Sequence, residues 1–214
     1  MMNIMCGRFA FQGKQWPELV SEIDKPIFEP NYNICPTDKS PVIHLNSGQP
    51  KITMMRWGLR PSWSKKSTME PINARIESVE SKPMFRDAYA QRRCLIPAQG
   101  WYEWKTTPRG KVPFFHRHSG ESLLLMAGIH EQWVDGGEQH DSFCLLTKES
   151  TNDVSYVHHR MPVLVDANAS SLWLEQQIIE PIDFSIEVYP VGREVNKTSA
   201  EGVQLTRPLR TLFD

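Results

Sequence analysis

Short apolar or alternating runs recur along the chain, at residues 41–45, 52–59, 93–97, 113–118, 122–129, 143–147, 162–165 and 185–191. Runs of this length, bounded by Gly, Pro, Asn and Ser, read as strands. Helical spacing is scarcer. Residues 16–23 follow a Gln/Gly turn. Residues 79–92 carry Met84, Phe85, Ala88 and Tyr89 at helical intervals, and 167–179 place Leu172, Leu174 and Ile178 on a partly apolar side after Asp166, a candidate N-cap. Strands that follow one another without regular intervening helices predict an α+β fold. The expected core is a curved, barrel-like, mostly antiparallel β-sheet with a few peripheral helices.

The chain has 214 residues, 40% hydrophobic and 23% charged. That is the balance of an ordinary globular domain, long enough to bury roughly 70% of its unfolded surface without a metal or disulfide. No linker, repeat or charge run divides it, so one domain over residues 6–214 is expected, with residues 1–5 a leader absent from the mature protein. No apolar run approaches the ~20 residues of a membrane span, and no basic-then-apolar start marks a secretory signal. Cys6, Cys35, Cys94 and Cys144 are scattered without a CxxC pair. They predict a reduced, cytoplasmic setting, no disulfides and no metal site. Net charge is −1, which argues against coating duplex DNA by bulk positive charge but leaves room for a local basic groove.

The candidate chemistry gathers in a few segments. In Gly100-Trp101-Tyr102-Glu103-Trp104 an extended backbone puts Trp101 and Glu103 on one face, Tyr102 and Trp104 on the other. A carboxylate desolvated beside an aromatic ring has its pKa raised and suits acid/base work near neutral pH; the plainer alternative is a surface Glu on an edge strand. In His158-His159-Arg160 adjacent histidines on an extended segment point to opposite faces, so at most one serves a given site. Asn73 and Arg75 share a face, with Glu77 next along it, and offer an amide and a guanidinium to an anion or sugar-phosphate; otherwise Arg75 and Glu77 form a weak surface pair. Trp57 and Trp63 bracket a Gly/Pro loop that either presents bases with a stacking platform or contributes ordinary core tryptophans. Cys6 adds a near-terminal thiol.

Taken in order, Cys6-Gly7-Arg8-Phe9, Tyr32-Asn33-Ile34-Cys35-Pro36, Trp57-Gly58-Leu59-Arg60-Pro61-Ser62-Trp63, Asn73-Ala74-Arg75-Ile76-Glu77, Arg93-Cys94-Leu95-Ile96-Pro97-Ala98, Gly100-Trp101-Tyr102-Glu103-Trp104 and His158-His159-Arg160-Met161-Pro162 resemble the SRAP family, the SOS-response-associated peptidases. The resemblance spans roughly residues 6–196. It implies a sensor of abasic sites in single-stranded DNA that forms a covalent thiazolidine crosslink through an N-terminal cysteine and shields the lesion in the DNA damage response, with AP-lyase and self-cleaving peptidase activity as accompaniments. By position, Cys6 is the nucleophile and Asn73, Glu103 and His158 complete the active site. Arg8, Arg75 and Arg160 bind phosphates, and Trp57 and Trp63 lie near the bases. No cofactor is implied, the partner is single-stranded DNA containing abasic sites, no membrane is involved, and a cytoplasmic monomer that joins the nucleoid on DNA damage is expected. A cysteine-dependent peptidase or thiol hydrolase and a non-covalent single-stranded DNA binder are the alternatives. With Met5 attached the Cys6 nitrogen is an amide, so the implied chemistry requires a mature chain that starts at Cys6.

Overall fold

The computed structural model describes residues 6–63, 70–120, 122–179 and 185–209; the proposed leader, 1–5, lies outside them. In chain order the elements are β1 (Arg8–Phe11), β2 (Asn31–Ile34), β3 (Lys39–Asn46), β4 (Gln49–Trp57), β5 (Asn73–Arg75), α1 (Arg86–Gln91), β6 (Arg93–Ala98), β7 (Gly100–Thr107), β8 (Gly110–His118), β9 (Leu124–Asp135), β10 (Glu138–Glu149), α2 (Asn152–Ser155), β11 (Arg160–Pro162), β12 (Leu164–Val165), α3 (Ser170–Gln176) and β13 (Ile186–Pro190).

Two sheets result. One has the order β13-β8-β7-β1-β2. In the other, β10-β4-β3-β6-β9 closes on itself, because β9 pairs with both β6 and β10. The closure is antiparallel except where β10 runs parallel to β4. The expected curved, barrel-like sheet is therefore present.

Period-2 alternation sends successive side chains of the barrel strands into two cores. Val42, Ile96, Met126, Phe143 and Leu145 pack with Phe9, Ile34 and Trp101 of the five-stranded sheet. Their neighbours Ile43, Leu95, Ala127, Cys144 and Leu146 pack with Ala88 and Tyr89 of α1 and with Trp173 and Leu174 of α3. The outer face of the five-stranded sheet carries Ala10, Tyr102 and Phe115 under Val191, Val195 and Leu205.

The helices are shorter than the sequence periodicity predicts. In 79–92 only Arg86–Gln91 is α-helical, because Pro83 disfavours a helical residue before it. In 16–23 a single 3-10 turn forms, at Glu18–Val20, between Pro17 and Pro26. The third follows its cap: the Asp166 carboxylate accepts the Asn168 N–H at 2.7 Å, and the helix ends at Gln176 with Gln177 left-handed. Among the described residues no helix is long and apolar enough to cross a membrane.

Candidate active site

The five-stranded sheet builds the site at a place where it is incomplete. β1 begins at Arg8, opposite Tyr102, and covers β7 only from Gly100 to Tyr102. The rest of β7, from Glu103 outward, has no strand on that side among the described residues. Cys6 lies at this open edge. Its backbone is left-handed, with φ +39, a strained conformation for a residue with a Cβ. Its backbone N–H donates to Glu103 Oε1 at 2.6 Å, a buried contact between residues 97 apart in sequence.

Glu103 is 3% exposed. Burial drives its pKa up to about 8, against the hydrogen bonds from the Cys6 and Trp104 N–H groups and the charge of Lys111, which pull it down. At neutral pH this carboxyl is therefore largely protonated and able to give a proton. Burial also pushes the Cys6 thiol well above its ordinary range, and the Glu103 carboxylate adds to the rise. Trp101, on the same face of β7, stacks on His116 across the strand pair at 4.7 Å. The expected alternation of this strand holds.

A cavity of about 290 Å³ opens at the edge, lined by Arg8, Glu103, Trp104, Thr106, Lys111, His158 and Asn196. Arg8 is held in place by bonds to Asn33 Oδ1 at 2.9 Å and the Val195 carbonyl at 2.7 Å. The Trp104 indole donates to Asn196 Oδ1 at 2.7 Å. His158 is half-buried, and burial lowers its pKa. Its Nδ1 lies 3.1 Å from the Arg160 N–H. The Arg160 carbonyl oxygen lies 3.2 Å from the same Nδ1, so the Arg160 backbone holds the ring at Nδ1 and can meet either tautomer. The two histidines do not point to opposite faces as an extended segment predicts. Their rings pack at 4.5 Å, because the chain bends at His159 before β11 begins. Only His158 lines the cavity.

A second, shallower cavity of about 630 Å³ lies beyond the His158–Arg160 segment, lined by Arg75, Glu77, Ser78, Lys148, Glu149 and Arg160. Here the sequence reading needs correction. The surface pair it offered was Arg75–Glu77, but Glu77 instead grips Arg160 in a two-pronged pair at 2.6 and 2.8 Å. Arg160 is 6% exposed and also donates to the Thr147 carbonyl at 2.6 Å. Its guanidinium is thus already engaged, whereas Arg75 is exposed. Asn73 shares a strand and a face with Arg75 on β5 but lines neither cavity.

The tryptophans divide. Trp57 is fully buried, edge-on to Phe9 at 5.1 Å and parallel to Phe143 at 6.2 Å, with its indole N–H on the Ile72 carbonyl at 2.9 Å. No base can reach it, so its reading as a stacking surface is wrong. Trp63 is 60% exposed and keeps that possibility. The four cysteines are all buried, as free thiols. No group of His, Cys, Asp and Glu side chains able to hold a metal ion occurs among the described residues.

Four lining residues were not read as site residues from the sequence: Trp104, which was placed on the face opposite Glu103, and Thr106, Lys111 and Asn196. The Thr107-Pro108-Arg109-Gly110 turn is a hairpin signal that would have placed Lys111 opposite Thr106. Nothing local marks Asn196, which reaches the site through the long-range cover of the sheet.

A profile of the family described as "SOS response associated peptidase (SRAP)" matches residues 5–198. The chain is 29% identical to the abasic site processing protein YoaM of Bacillus subtilis, over 94% of this chain and 97% of that protein. It is 26% identical to the abasic site processing protein YedK of Escherichia coli, over 96% and 100%. A crystal structure of a protein from Bacteroides thetaiotaomicron superposes with a TM-score of 0.81 at 22% identity, covering 96% of this chain and all of that one.

Proposed function

The chain belongs to the SOS response associated peptidase (SRAP) family, and on that premise we propose that it captures abasic sites in single-stranded DNA covalently through Cys6. The observation that carries the reading is the Cys6 nitrogen 2.6 Å from a buried Glu103 that lines one cavity with His158. An abasic sugar is an aldehyde in equilibrium with its closed hemiacetal. His158 assists opening by taking the anomeric hydroxyl proton and relaying one to the ring oxygen, so that the C1′–O bond breaks and the aldehyde forms. In a chain starting at Cys6, Glu103 takes a proton from the terminal ammonium, the freed amine adds to C1′, and Glu103 returns the proton to the departing hydroxyl, so one water leaves and an N-protonated C=N bond remains. Glu103, now a carboxylate, takes the thiol proton. The sulfur closes on C1′ as the C=N electron pair passes to nitrogen, which keeps the one hydrogen it already carries, and a neutral thiazolidine results with Glu103 protonated. A raised thiol pKa suits this order of events, in which the amine attacks first.

The thiol-hydrolase alternative fits less well. A cysteine protease needs a depressed thiol pKa, and burial beside Glu103 does the reverse. Arg8 and Arg75 supply phosphate contacts, and Arg160 contributes by fixing the His158 ring through its backbone N–H.

The test is a denaturing gel after incubation with a single-stranded oligonucleotide holding one abasic site. A shifted band is expected for protein whose intact mass shows Cys6 first. It should vanish in Cys6→Ala and when the amine is acetylated. A band that survives acetylation, or that forms in protein retaining Met1–Met5, refutes the proposal.

A further inference from the structure

Between Glu103 and Val112 the chain carries three cations, Lys105, Arg109 and Lys111, and no acid. These residues form the outer end of the β7–β8 hairpin. Its tip is well defined: the Thr107 hydroxyl donates to the Gly110 carbonyl at 2.7 Å and accepts the Arg109 N–H at 3.2 Å. Gly110 takes the φ of +104 that the turn requires. Lys111 lines the cavity with Glu103 and His158, and its charge acts on both. No ion pair ties any of the three cations to a carboxylate among the described residues. The cavity beyond Arg160 differs, since Glu77 and Glu149 offset its positive charge.

An aromatic ring stands beside this arm. Tyr156 is 47% exposed. The Lys105 ammonium lies 4.9 Å from its ring centre, and Phe114 braces it edge-on at 6.2 Å and 90°. Phe114 is the residue directly opposite Glu103 in the strand pair, so the ring is braced by a residue paired with a lining residue of the cavity, without itself lining it. Three uncompensated cations beside a braced, half-exposed aromatic are what a single strand binds: phosphates on the cations, a base on the ring.

We propose that the β7–β8 hairpin and Tyr156 form a second single-stranded nucleic-acid contact that grips one flank of the strand, the side leaving the cavity away from Arg75. This rests on the reading that a lesion-bearing strand occupies the cavity lined by Glu103 and His158. Lys105, Arg109 and Lys111 hold backbone phosphates, and Tyr156 stacks on the first base beyond the lesion.

Binding is measured by fluorescence anisotropy at several salt concentrations with a single-stranded oligonucleotide containing a tetrahydrofuran abasic analogue. The analogue has no aldehyde, so affinity is read without crosslinking. The combined Lys105→Ser, Arg109→Ser, Lys111→Ser variant is expected to lower the salt slope by about 2, since each phosphate contact on a single strand contributes about 0.7. The loss should disappear when one flank of the oligonucleotide is trimmed and persist when the other is trimmed. Tyr156→Ala should bind at least about five-fold more weakly while Tyr156→Phe binds normally. An unchanged slope, or a loss indifferent to which flank is trimmed, overturns the hairpin contact. Equal losses in Tyr156→Ala and Tyr156→Phe overturn the stacking. The single Arg109→Ser change at the exposed tip keeps the test available if the combined variant fails to fold. Because the analogue cannot react, failure here leaves the crosslinking assay untouched, and failure of crosslinking leaves this binding result untouched.

Discussion

Replacing Glu103 by Gln separates what its burial costs the fold from what its proton does for the chemistry. In the folded protein this carboxyl holds its proton up to a pKa of about 8, against an ordinary 4.5. The unfolded chain releases that proton from pH 4.5 upward. The contribution of the site to stability is therefore fully present below 4.5 and is lost as pH rises through 8. The interval, at about 1.4 kcal/mol per pH unit, is worth about 5 kcal/mol. Glutamine keeps an oxygen to accept the Cys6 N–H but has no proton to lose. Thermal unfolding of Glu103→Gln and the unaltered protein should accordingly diverge between pH 5 and 8. For a chain of this size the variant should gain roughly 3–6 °C per pH unit, levelling off above 8. The same substitution should slow crosslinking by about 10²–10⁴, the usual contribution of a placed proton donor, with affinity for the tetrahydrofuran strand unchanged. In a chain starting at Cys6 the nitrogen is an ammonium against the carboxylate, which pulls the Glu103 pKa back down. The divergence should then shrink. Parallel melting curves across the whole pH range in the leader-bearing form would refute the account of Glu103 as a desolvated acid.

Trp57→Ala should cost about 3–5 kcal/mol by leaving a cavity between Phe9 and Phe143, read as a fall in Tm, whereas Trp63→Ala should leave Tm unchanged and weaken strand binding. Arg160 holds the Glu77 pKa below its ordinary value, so the pair's contribution is present above the ordinary carboxylate range and is lost as pH falls through the depressed value. Glu77→Gln should therefore lower Tm at neutral pH, with the gap to the unaltered protein closing in acid. The test is a pair of melting curves, at neutral pH and near pH 3.

Much of this protein is legible locally. The strands follow from short apolar runs whose alternation fills two cores at once, so 41–45, 93–97 and 143–147 fall within β3, β6 and β10. The placement of Trp101 and Glu103 on one face is the same rule applied to β7, and the order of the motifs from Cys6 to Met161 carries the family. The helices were less legible, because Pro83, Pro17 and Pro26 confine them more tightly than their apolar spacing suggests.

What the linear pattern could not decide is which side chains meet and how much water they keep. The bond from Cys6 to Glu103 joins residues 97 apart, and the Arg160–Glu77 pair residues 83 apart. Both depend on how strands separated in sequence are set side by side. Burial, and with it every pKa shift, is a property of that arrangement: desolvation makes Glu103 an acid, removes Trp57 from the surface and leaves Trp63 on it. Residue type and spacing determined what chemistry the chain carries. The incomplete edge of β7 decided where that chemistry is assembled, since there Glu103 lines one cavity with His158 while it holds the buried Cys6 nitrogen.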